Sequence, residues 1–331
     1  MELKRVVAFA AASAWMSSVG SVAAHATDEP NLRLHAPAEP WPHLFPLLDK
    51  GAAERGVELP QPIGIGLNYM YLVQDVNIDR IALSLNENPT READFIKFHN
   101  VRSAGQMVTV RPDLWLFPFL NVYGILGVGN VKGTVLLESP VELQSVVQQT
   151  ARVWGFGLTT AFGFEGFWLS ADVNWTWVAL ENLIDPVSGR VLGLRLGKAF
   201  ELAHGHSFSL WGGAMQQSLV VSTRGHIRMD EALSQDSLDQ LGQALASACD
   251  NLTGASAAAC NRLVGQYDPA SFGANVVNYD LDKSLATPWN ALLGAQFALD
   301  EHWLLRSELG FIGRYSLLLS FNYRFGLGLA P

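Results

Sequence analysis

The stretch YSLLLSFNYRF, residues 315–325, decides the fold, because its side chains alternate between two chemical classes. Every second residue is bulky and apolar or aromatic: Tyr315, Leu317, Leu319, Phe321, Tyr323 and Phe325. The residues between them, apart from Leu318, are polar: Ser316, Ser320, Asn322 and Arg324. A period of two is that of a β-strand, whose successive side chains point to opposite faces. A wholly apolar face opposite a face with an arginine predicts a strand between lipid and a polar lumen.

The same alternation recurs along most of the chain and predicts about ten strands. They fall at residues 63–71, 103–113, 119–136, 152–162, 167–179, 190–200, 207–221, 289–299, 303–311 and 315–325. Segments 76–85 and 95–101 leave twelve strands as an alternative, since a barrel of this kind has an even number. The predicted fold class is therefore all-β: a closed antiparallel transmembrane β-barrel, with a short helical insertion in one long loop.

The spacing of the strands predicts two unlike barrel ends. With both chain ends in the periplasm, four short turns fall on one side, at 115–118, 163–166, 201–206 and 300–302. The longer loops 138–149 and 222–286 fall on the other side, and a tight turn at 312–314 precedes the last strand. Short periplasmic turns and long external loops are typical of outer-membrane barrels.

The N-terminal region indicates export. Lys4 and Arg5 precede an apolar run and a small-residue stretch, which predicts a signal peptide over residues 1–26. Loss of that segment moves the formal net charge from −9 to −10, which argues against nucleic acid as a partner. Residues 27–60 are interpreted as a periplasmic lead-in with a short helix near 44–55, or alternatively as a plug, ahead of a barrel domain at 61–327.

The hydropathy of the mature chain favours strands over membrane helices. Mean hydropathy is positive, +0.16. Yet the longest apolar run after the signal, residues 114–128, is broken by Pro118 and Asn121 and is shorter than the ~18 residues of a spanning helix. Such a combination is typical of a membrane barrel, because only half of each strand faces lipid. Outer-membrane lipid is therefore an expected partner.

Loop 222–286 is too long for a passive connection and predicts a small cell-surface cap. Leu238, Leu241, Leu245 and Ala248 recur at three- and four-residue steps and predict an amphipathic helix. Cys249 and Cys260 follow in the same loop, and in an oxidising compartment they are expected to form a disulfide that stabilises it by roughly 3 kcal/mol.

Together, the signal, the alternating hairpins and the aromatic last strand resemble the outer-membrane β-barrel proteins of Gram-negative bacteria. In that group the final strand commonly ends in an aromatic residue read by the barrel-assembly machinery, and Phe325 matches, although six residues follow it. The segments WLFPFLNVYG (115–124) and WNALLGAQFALDEHWLLRSELGF (289–311) also resemble a family of uncharacterised small barrels. The resemblance implies an outer-membrane location and brings no activity, because one barrel architecture hosts several functions.

Seven charged residues fall at predicted inward positions and form the candidate site. They are Arg111, Asp113, Asp172, Arg195, Arg306, Glu308 and Arg324. Charges in a narrow interior must pair or be solvated, and two pairs of neighbouring strands bring Asp172 near Arg195 and Glu308 near Arg324. The set is interpreted either as a constriction that sorts small solutes or as filling of a narrow interior. Four arginines against three acids favour anions if the barrel conducts.

Two further clusters carry weaker hypotheses. Glu201, His204 and His206 offer metal-ligand types, but a solvated turn is the favoured interpretation, and no metal or cofactor is expected. His226 lies near Asp230 and Glu231 at the mouth of loop 222–286, which raises a rim hydrolase as a minor alternative. No Ser-His spacing typical of a hydrolase is recognisable, so an enzyme is not expected.

The predicted function is a narrow channel or transporter for small solutes. The alternative is a surface-exposed structural or adhesive barrel that acts through loop 222–286. The solute and any surface partner are not specified by the residues.

Overall fold

A computed structural model describes most of the predicted barrel. The described residues are 43–48, 60–86, 88–93, 96–139, 143–164, 166–181, 183, 185–219, 222–228, 247, 249–265 and 276–326. The predicted signal peptide, most of the predicted 44–55 helix and all but Ser247 of the predicted 238–248 helix lie outside them. No helix within the described ranges is long and apolar enough to cross a bilayer.

Thirteen strands and one α-helix make up the described fold. The elements are β1 (Ile63–Leu85), β2 (Arg91–Glu92), β3 (Lys97–Phe117), β4 (Leu120–Ser139), β5 (Leu143–Phe164), β6 (Phe167–Leu180), β7 (Val187–Glu201), β8 (Ser207–Leu219), β9 (Ser222–Arg228), α1 (Gly254–Val264), β10 (Val276–Leu285), β11 (Trp289–Ala298), β12 (Trp303–Phe311) and β13 (Arg314–Phe325).

Ten of these strands close into one antiparallel barrel, which confirms the predicted fold. The ring runs β1-β3-β4-β5-β6-β7-β8-β11-β12-β13. It closes where β13 pairs with β1, from Ile63 opposite Phe325 to Gln74 opposite Arg314. Closure matters because it leaves no unpaired sheet edge in the ring, and a hydrocarbon environment does not tolerate such an edge.

The two faces of the strands differ as the alternation predicts. Along β13, Tyr315, Leu319, Phe321 and Tyr323 are exposed, while Ser320, Asn322 and Arg324 are buried. On β12, the outward aromatic residues Trp303 and Phe311 mark the two ends of an apolar band. Eight residues separate them, so the band is roughly 20 Å tall at a strand tilt of about 40°. This height approaches the ~25 Å apolar band of a transmembrane barrel.

The strands on one side of the barrel extend far beyond this band. β1, β3, β4 and β5 have 23, 21, 20 and 22 residues, against 10 in β11 and 9 in β12. The prediction of a loop at 138–149 was therefore wrong, since β4 reaches Ser139 and β5 begins at Leu143. Segments 76–85 and 95–101 also add no strands to the ring, because 76–85 continues β1 and residues 97–101 begin β3. Backbone pairing between neighbouring strands therefore continues above the apolar band.

Part of the long loop joins this extension. We call the whole assembly the extracellular wall, and it consists of the upper halves of β1, β3, β4 and β5 together with β2, β9 and β10. β10 pairs with β1 directly above β13, and β9 pairs with β10. Arg80 of β1 links this strand to β10 and to β2. Its Nε donates to Asp282 on β10 at 2.7 Å, and its Nη1 lies 3.9 Å from Glu92 on β2. The described part of the predicted cap thus contains two strands of this sheet as well as a helix.

The helical part of the cap is cross-linked internally and packs against the extracellular wall through an apolar cluster. Cys249 and Cys260 are joined, with 5.5 Å between their Cα atoms, and Cys260 lies in α1. Both cysteines are fully buried against Ala93, in a cluster that includes Ile81 and Leu83 of β1. The cross-link therefore ties α1 to the residues just before it, and the apolar cluster packs this unit against the upper half of β1.

The short turns lie together at the opposite end, as predicted. In the 300–302 turn the carboxylate of Asp300 accepts hydrogen bonds from the N–H groups of His302 and Trp303, both at 2.8 Å. The predicted tight turn at 115–118 is displaced, since β3 continues to Phe117 and the turn is formed by Pro118 and Phe119. Pro118 has no N–H for a strand ladder, which explains why the strand ends before it.

Candidate functional site in the barrel interior

The barrel interior is built in three layers. From the periplasmic end upward, the inward side chains of β6 are Trp168, Asp172 and then Val178, with polar residues between them. Trp115, Trp168 and Trp211, with Ala161, form an aromatic layer at the bottom. The seven charged residues form an ion network above it. An apolar layer lies higher still, consisting of Met70, Leu72, Met107, Val131, Ala151, Val153, Val178, Leu180, Val187 and Leu318.

Glu308 is the centre of one half of the ion network. Its carboxylate accepts two hydrogen bonds from Arg195, at 2.7 and 3.1 Å, and one from Arg306 at 3.0 Å. Trp211 donates its indole N–H to the same carboxylate at 2.8 Å, and the Arg306 guanidinium lies 4.4 Å from the Trp211 ring centroid. Arg195 also binds Asp172 on the neighbouring strand. This half spans the lumen, because β7 and β12 are separated in the ring by β8 and β11.

Asp113 is the centre of the other half. Arg324 lies 3.1 Å from its carboxylate and Arg111 lies 3.7 Å from it. Asn121 donates to the carboxylate at 2.8 Å, so three strands converge on one acid. Arg111 in turn lies 3.9 Å above the Tyr123 ring, a cation–π distance.

Two glycines make room for the charges. An added Cβ at Gly193 would collide with Asp172 and Arg195, and one at Gly64 would collide with Asp113 and Arg324. Gly193 on β7 is opposite Asp172 on β6, and Gly64 on β1 is opposite Asp113 on β3. The crowded interior therefore tolerates no side chain at these two positions.

The seven residues are nearly inaccessible to solvent. Their exposed fractions run from 0% for Arg111 to 6% for Asp113. Of the two neighbour pairs expected from strand order, Asp172 and Arg195 meet directly, whereas Glu308 binds Arg195 and Arg306, and Arg324 binds Asp113. The network thus closes the lumen at this level, and its charges are compensated by each other rather than by bulk water.

Other inward polar groups have no hydrogen-bond partner among the described residues. They line β5 and β6 at Thr159, Ser170 and Thr176, and β11 at Asn290. All four side chains are buried. A buried polar group without a protein partner is costly unless water satisfies it, so these positions form a polar surface suited to hydration.

Two buried charges were missed by sequence reasoning, Arg314 and Lys283. Arg314 was assigned to a tight turn at 312–314, but it is the first residue of β13 and is 2% exposed. The alternation itself contained the signal, because Arg314 has the same parity as Ser316, Ser320 and Arg324. Extending the strand by one residue would have placed it inside.

The weaker clusters stay at the barrel rims. Glu201 and His204 are exposed at the β7–β8 turn, and His206 lies beside the carbonyl oxygen of Leu299 at 2.6 Å. No group of three potential metal ligands exists within the described ranges. His226 is exposed on β9 opposite Asn278, while Asp230 and Glu231 lie outside the described residues.

A short part of the N-terminal segment lies at the periplasmic mouth. The backbone N–H of Leu47 donates to the carbonyl of Leu116 at 2.9 Å, and His43 lies against Gly326 at the end of β13. Residues 43–48 therefore contact the periplasmic ends of β3 and β13, the two neighbours of β1 in the ring.

The comparisons with known proteins find similar architectures at low identity. No protein-family model matches the chain, and no curated protein matches it in sequence. The outer membrane protein OprG from Pseudomonas aeruginosa is 11% identical with a TM-score of 0.36, over 81% of this chain and 99% of that chain. The β domain of the Bordetella autotransporter BrkA is 10% identical with a TM-score of 0.34, over 79% and 100%. The toluene transporter TbuX of Ralstonia pickettii is 8% identical with a TM-score of 0.30, over 81% and 90%.

At these TM-scores the likeness is distant, and the class of the protein follows from its own strands. An antiparallel sheet closed on itself, with an apolar outer band, a polar interior and short turns at one end, is the form in which β-structure crosses a membrane. The protein is a ten-stranded β-barrel of the outer membrane of a Gram-negative bacterium, in contact with membrane lipid.

Proposed function

We propose that the protein is a narrow channel for small solutes, closed in the described conformation by the ion network. The observation that carries the proposal is the network itself: four arginines and three acids, nearly buried, joined across the lumen. In an open state the same groups form a charged constriction of slightly positive net charge. Small anionic or polar solutes are the class that such a constriction favours.

Stability alone does not account for the network. Replacing a buried ion pair with apolar residues of similar volume is often neutral or stabilising, because removing charges from water is costly. The apolar layer shows that this barrel can fill its interior with aliphatic side chains. Seven charges one level below are therefore more consistent with a role in handling solutes.

The geometry also supports a gate. Glu308 on β12 binds Arg195 of β7 and Trp211 of β8, besides Arg306 of its own strand, so rotation of this one side chain releases its contacts with two other strands. The unpartnered polar groups on β5, β6 and β11 provide a wettable path beside it. Opening then requires side-chain rearrangement of the ion network, the aromatic layer and the apolar layer, with no change in strand pairing.

Ion selectivity in planar bilayers tests the proposal. The refolded protein is placed in a KCl gradient, and the reversal potential is measured for the wild type, Arg306→Gln and Arg324→Gln. We expect a modest anion preference that each substitution shifts toward cations. Arg190→Gln is the matched control, since Arg190 is exposed on the outer face of β7. Cation selectivity unaffected by either inner substitution would overturn the proposal.

A second candidate function is adhesion or a structural role at the cell surface. The observation in its favour is the extracellular wall, which carries a disulfide-linked helix far above the apolar band. Deletion of residues 229–275 removes α1 and the disulfide and leaves the β9–β10 pair, which covers the edge of β1. A channel keeps or gains conductance after this deletion, whereas an adhesin loses binding to its surface partner while its barrel stays folded.

We also propose the processing and assembly of the chain. Residues 1–26 act as a signal peptide, residues 27–60 form the periplasmic lead-in, and the barrel domain spans 61–327. The last strand, ending at Phe325, is the part that the barrel-assembly machinery recognises. N-terminal sequencing of the mature protein tests the first of these, and Phe325→Ala, with reduced membrane insertion as the expected result, tests the last.

A further inference from the structure

Two buried cations lie at the extracellular mouth, above the apolar layer, and neither belongs to the ion network. Arg314 begins β13 and Lys283 lies near the end of β10. Each is 2% exposed. No ion pair to a carboxylate is formed by either residue among the described parts of the chain.

Arg314 reaches across part of the mouth to a strand three steps away in the ring. Its Nη1 donates to the side-chain oxygen of Gln217 on β8, which is separated from β13 in the ring by β11 and β12. Its Nε and Nη2 have no partner among the described residues. A neutral amide satisfies one donor but leaves the positive charge uncompensated.

Lys283 faces the same space from above. β10 continues the edge that β13 forms on β1, with Arg314 opposite Gln74 and Lys283 opposite Ile78. Four residues along a strand correspond to roughly 13 Å, a distance over which two long side chains can meet one ligand. Leu183 packs against both the apolar layer and the cluster of Tyr279 and Leu281, so the inner face of β10 adjoins the top of the lumen.

Neutral donors surround the two charges. The side-chain amide nitrogen of Gln217 and that of Asn290 lack partners within the described structure. Gln217 lies two positions above Met215, which is opposite Asn290, so both amides are on neighbouring strands just below Arg314. A hydrogen bond from an amide N–H to a charged acceptor is stronger than one to a neutral acceptor. Both amide nitrogens are available to donate to such an acceptor.

The two cations and two amides together have the chemistry of an anion-binding site. Burying one unpaired charge costs several kcal/mol, and two of the same sign in one vestibule add mutual repulsion. A carboxylate or phosphate would supply negative charge and acceptor oxygens for the arginine, the ammonium and the amides together.

We propose that the extracellular mouth is a binding site for a small solute that carries a carboxylate or a phosphate, held between Arg314 and Lys283. The site is separate from the ion network, because the apolar layer lies between them. It deepens the proposed function by naming the chemical class of the solute. Binding does not require that the barrel conducts, so it is measured on its own.

Calorimetric titration of the folded protein with inorganic phosphate and with succinate tests the site. Sodium chloride at matched ionic strength is the comparison. We expect saturable binding of at least one of the two probes, weakened tenfold or more by Arg314→Met and by Lys283→Met. Arg190→Met on the outer face is the control and leaves binding unchanged. Saturation by phosphate alone assigns the site to phosphate esters, and saturation by both probes assigns it to oxyanions generally.

Either of two results would overturn the site: heats for both probes that do not exceed those of chloride, or equal affinities in the wild type and both inner variants. If Arg314→Met does not fold, Arg314→Gln together with Lys283→Met decides the outcome. A barrel that binds succinate but never conducts refutes only the channel. One that conducts but does not bind either probe refutes only the site.

Discussion

Glu308→Gln is the substitution whose outcome depends most on whether the interior is dry. The change keeps the size of the side chain and an oxygen that accepts the Trp211 indole hydrogen bond. It removes the negative charge that compensates Arg195 and Arg306, whose nitrogens lie 2.7 and 3.0 Å from the carboxylate. Among the seven network residues, four arginines then face two acids.

The expected magnitude follows from the burial of the network. Removing one partner of a buried ion pair costs about 3–5 kcal/mol, because an uncompensated charge stays behind. The same change at a hydrated pair costs about 0–1 kcal/mol. Glu308 and Arg306 are each 3% exposed and Arg195 is 1% exposed, so the larger range applies. We expect the lower part of it, near 3 kcal/mol, because Arg195 retains Asp172.

Equilibrium unfolding in urea, with the protein in lipid vesicles, measures the effect. Tryptophan fluorescence is a suitable signal, since Trp211 contacts both Glu308 and Arg306. Glu301→Gln is the control, because that side chain is 70% exposed in a turn, and we expect a change within about 0.5 kcal/mol. Combining Glu308→Gln with Arg306→Met removes a charge of each sign and should recover a large part of the loss.

A loss below about 1 kcal/mol for Glu308→Gln would refute the reasoning. It would mean that water screens the network in the folded barrel and that the described closure is not what holds these strands together. If Glu308→Gln lowers the free energy of unfolding strongly and adding Arg306→Met does not recover any of that loss, the uncompensated arginine is not the cause of the loss.

Three further predictions concern the glycines, the cap and the mouth. Gly193→Ala forces apart Asp172 and Arg195 and should lower the free energy of unfolding by several kcal/mol, whereas Gly212→Ala, with no atom nearer than 4.0 Å, should be nearly neutral. Reducing the Cys249–Cys260 disulfide should cost about 3 kcal/mol locally and expose the cap to protease while the barrel stays folded, and unchanged digestion would contradict this. Burial lowers the pKa of Lys283 to about 7, so its ammonium loses its proton as the pH rises past that value. Succinate binding should then weaken up to tenfold per pH unit above about 7, and Lys283→Arg should remove that dependence. Tyr279, on the same face, has its pKa raised by burial and keeps its proton in this range.

The alternation was sufficient to predict the ring of ten strands, because every strand in the apolar band has one lipid face and one lumen face. It was insufficient above the band. There both faces of a strand meet water or other protein, so the period-two contrast fades, and the upper parts of β4 and β5 were interpreted as a loop. β9 and β10 were missed for the same reason.

The ion network illustrates a second limit. Strand parity identifies which side chains point inward, and all seven candidates are buried. Parity does not give depth or partners across the lumen, which depend on strand tilt and shear. Arg195 and Glu308 are separated by three steps around the ring, so nothing in the order of the strands indicated that they pair.

Single-channel recording in planar bilayers tests the central claim most directly, namely that the buried network closes a conducting lumen. The wild type is compared with Glu308→Gln, each with and without residues 27–60. We predict brief openings in the wild type, a many-fold higher open probability in the variant, and a preference for anions in both. Silence from all four proteins, with correct folding verified by circular dichroism, would contradict the account and leave the barrel as a filled scaffold.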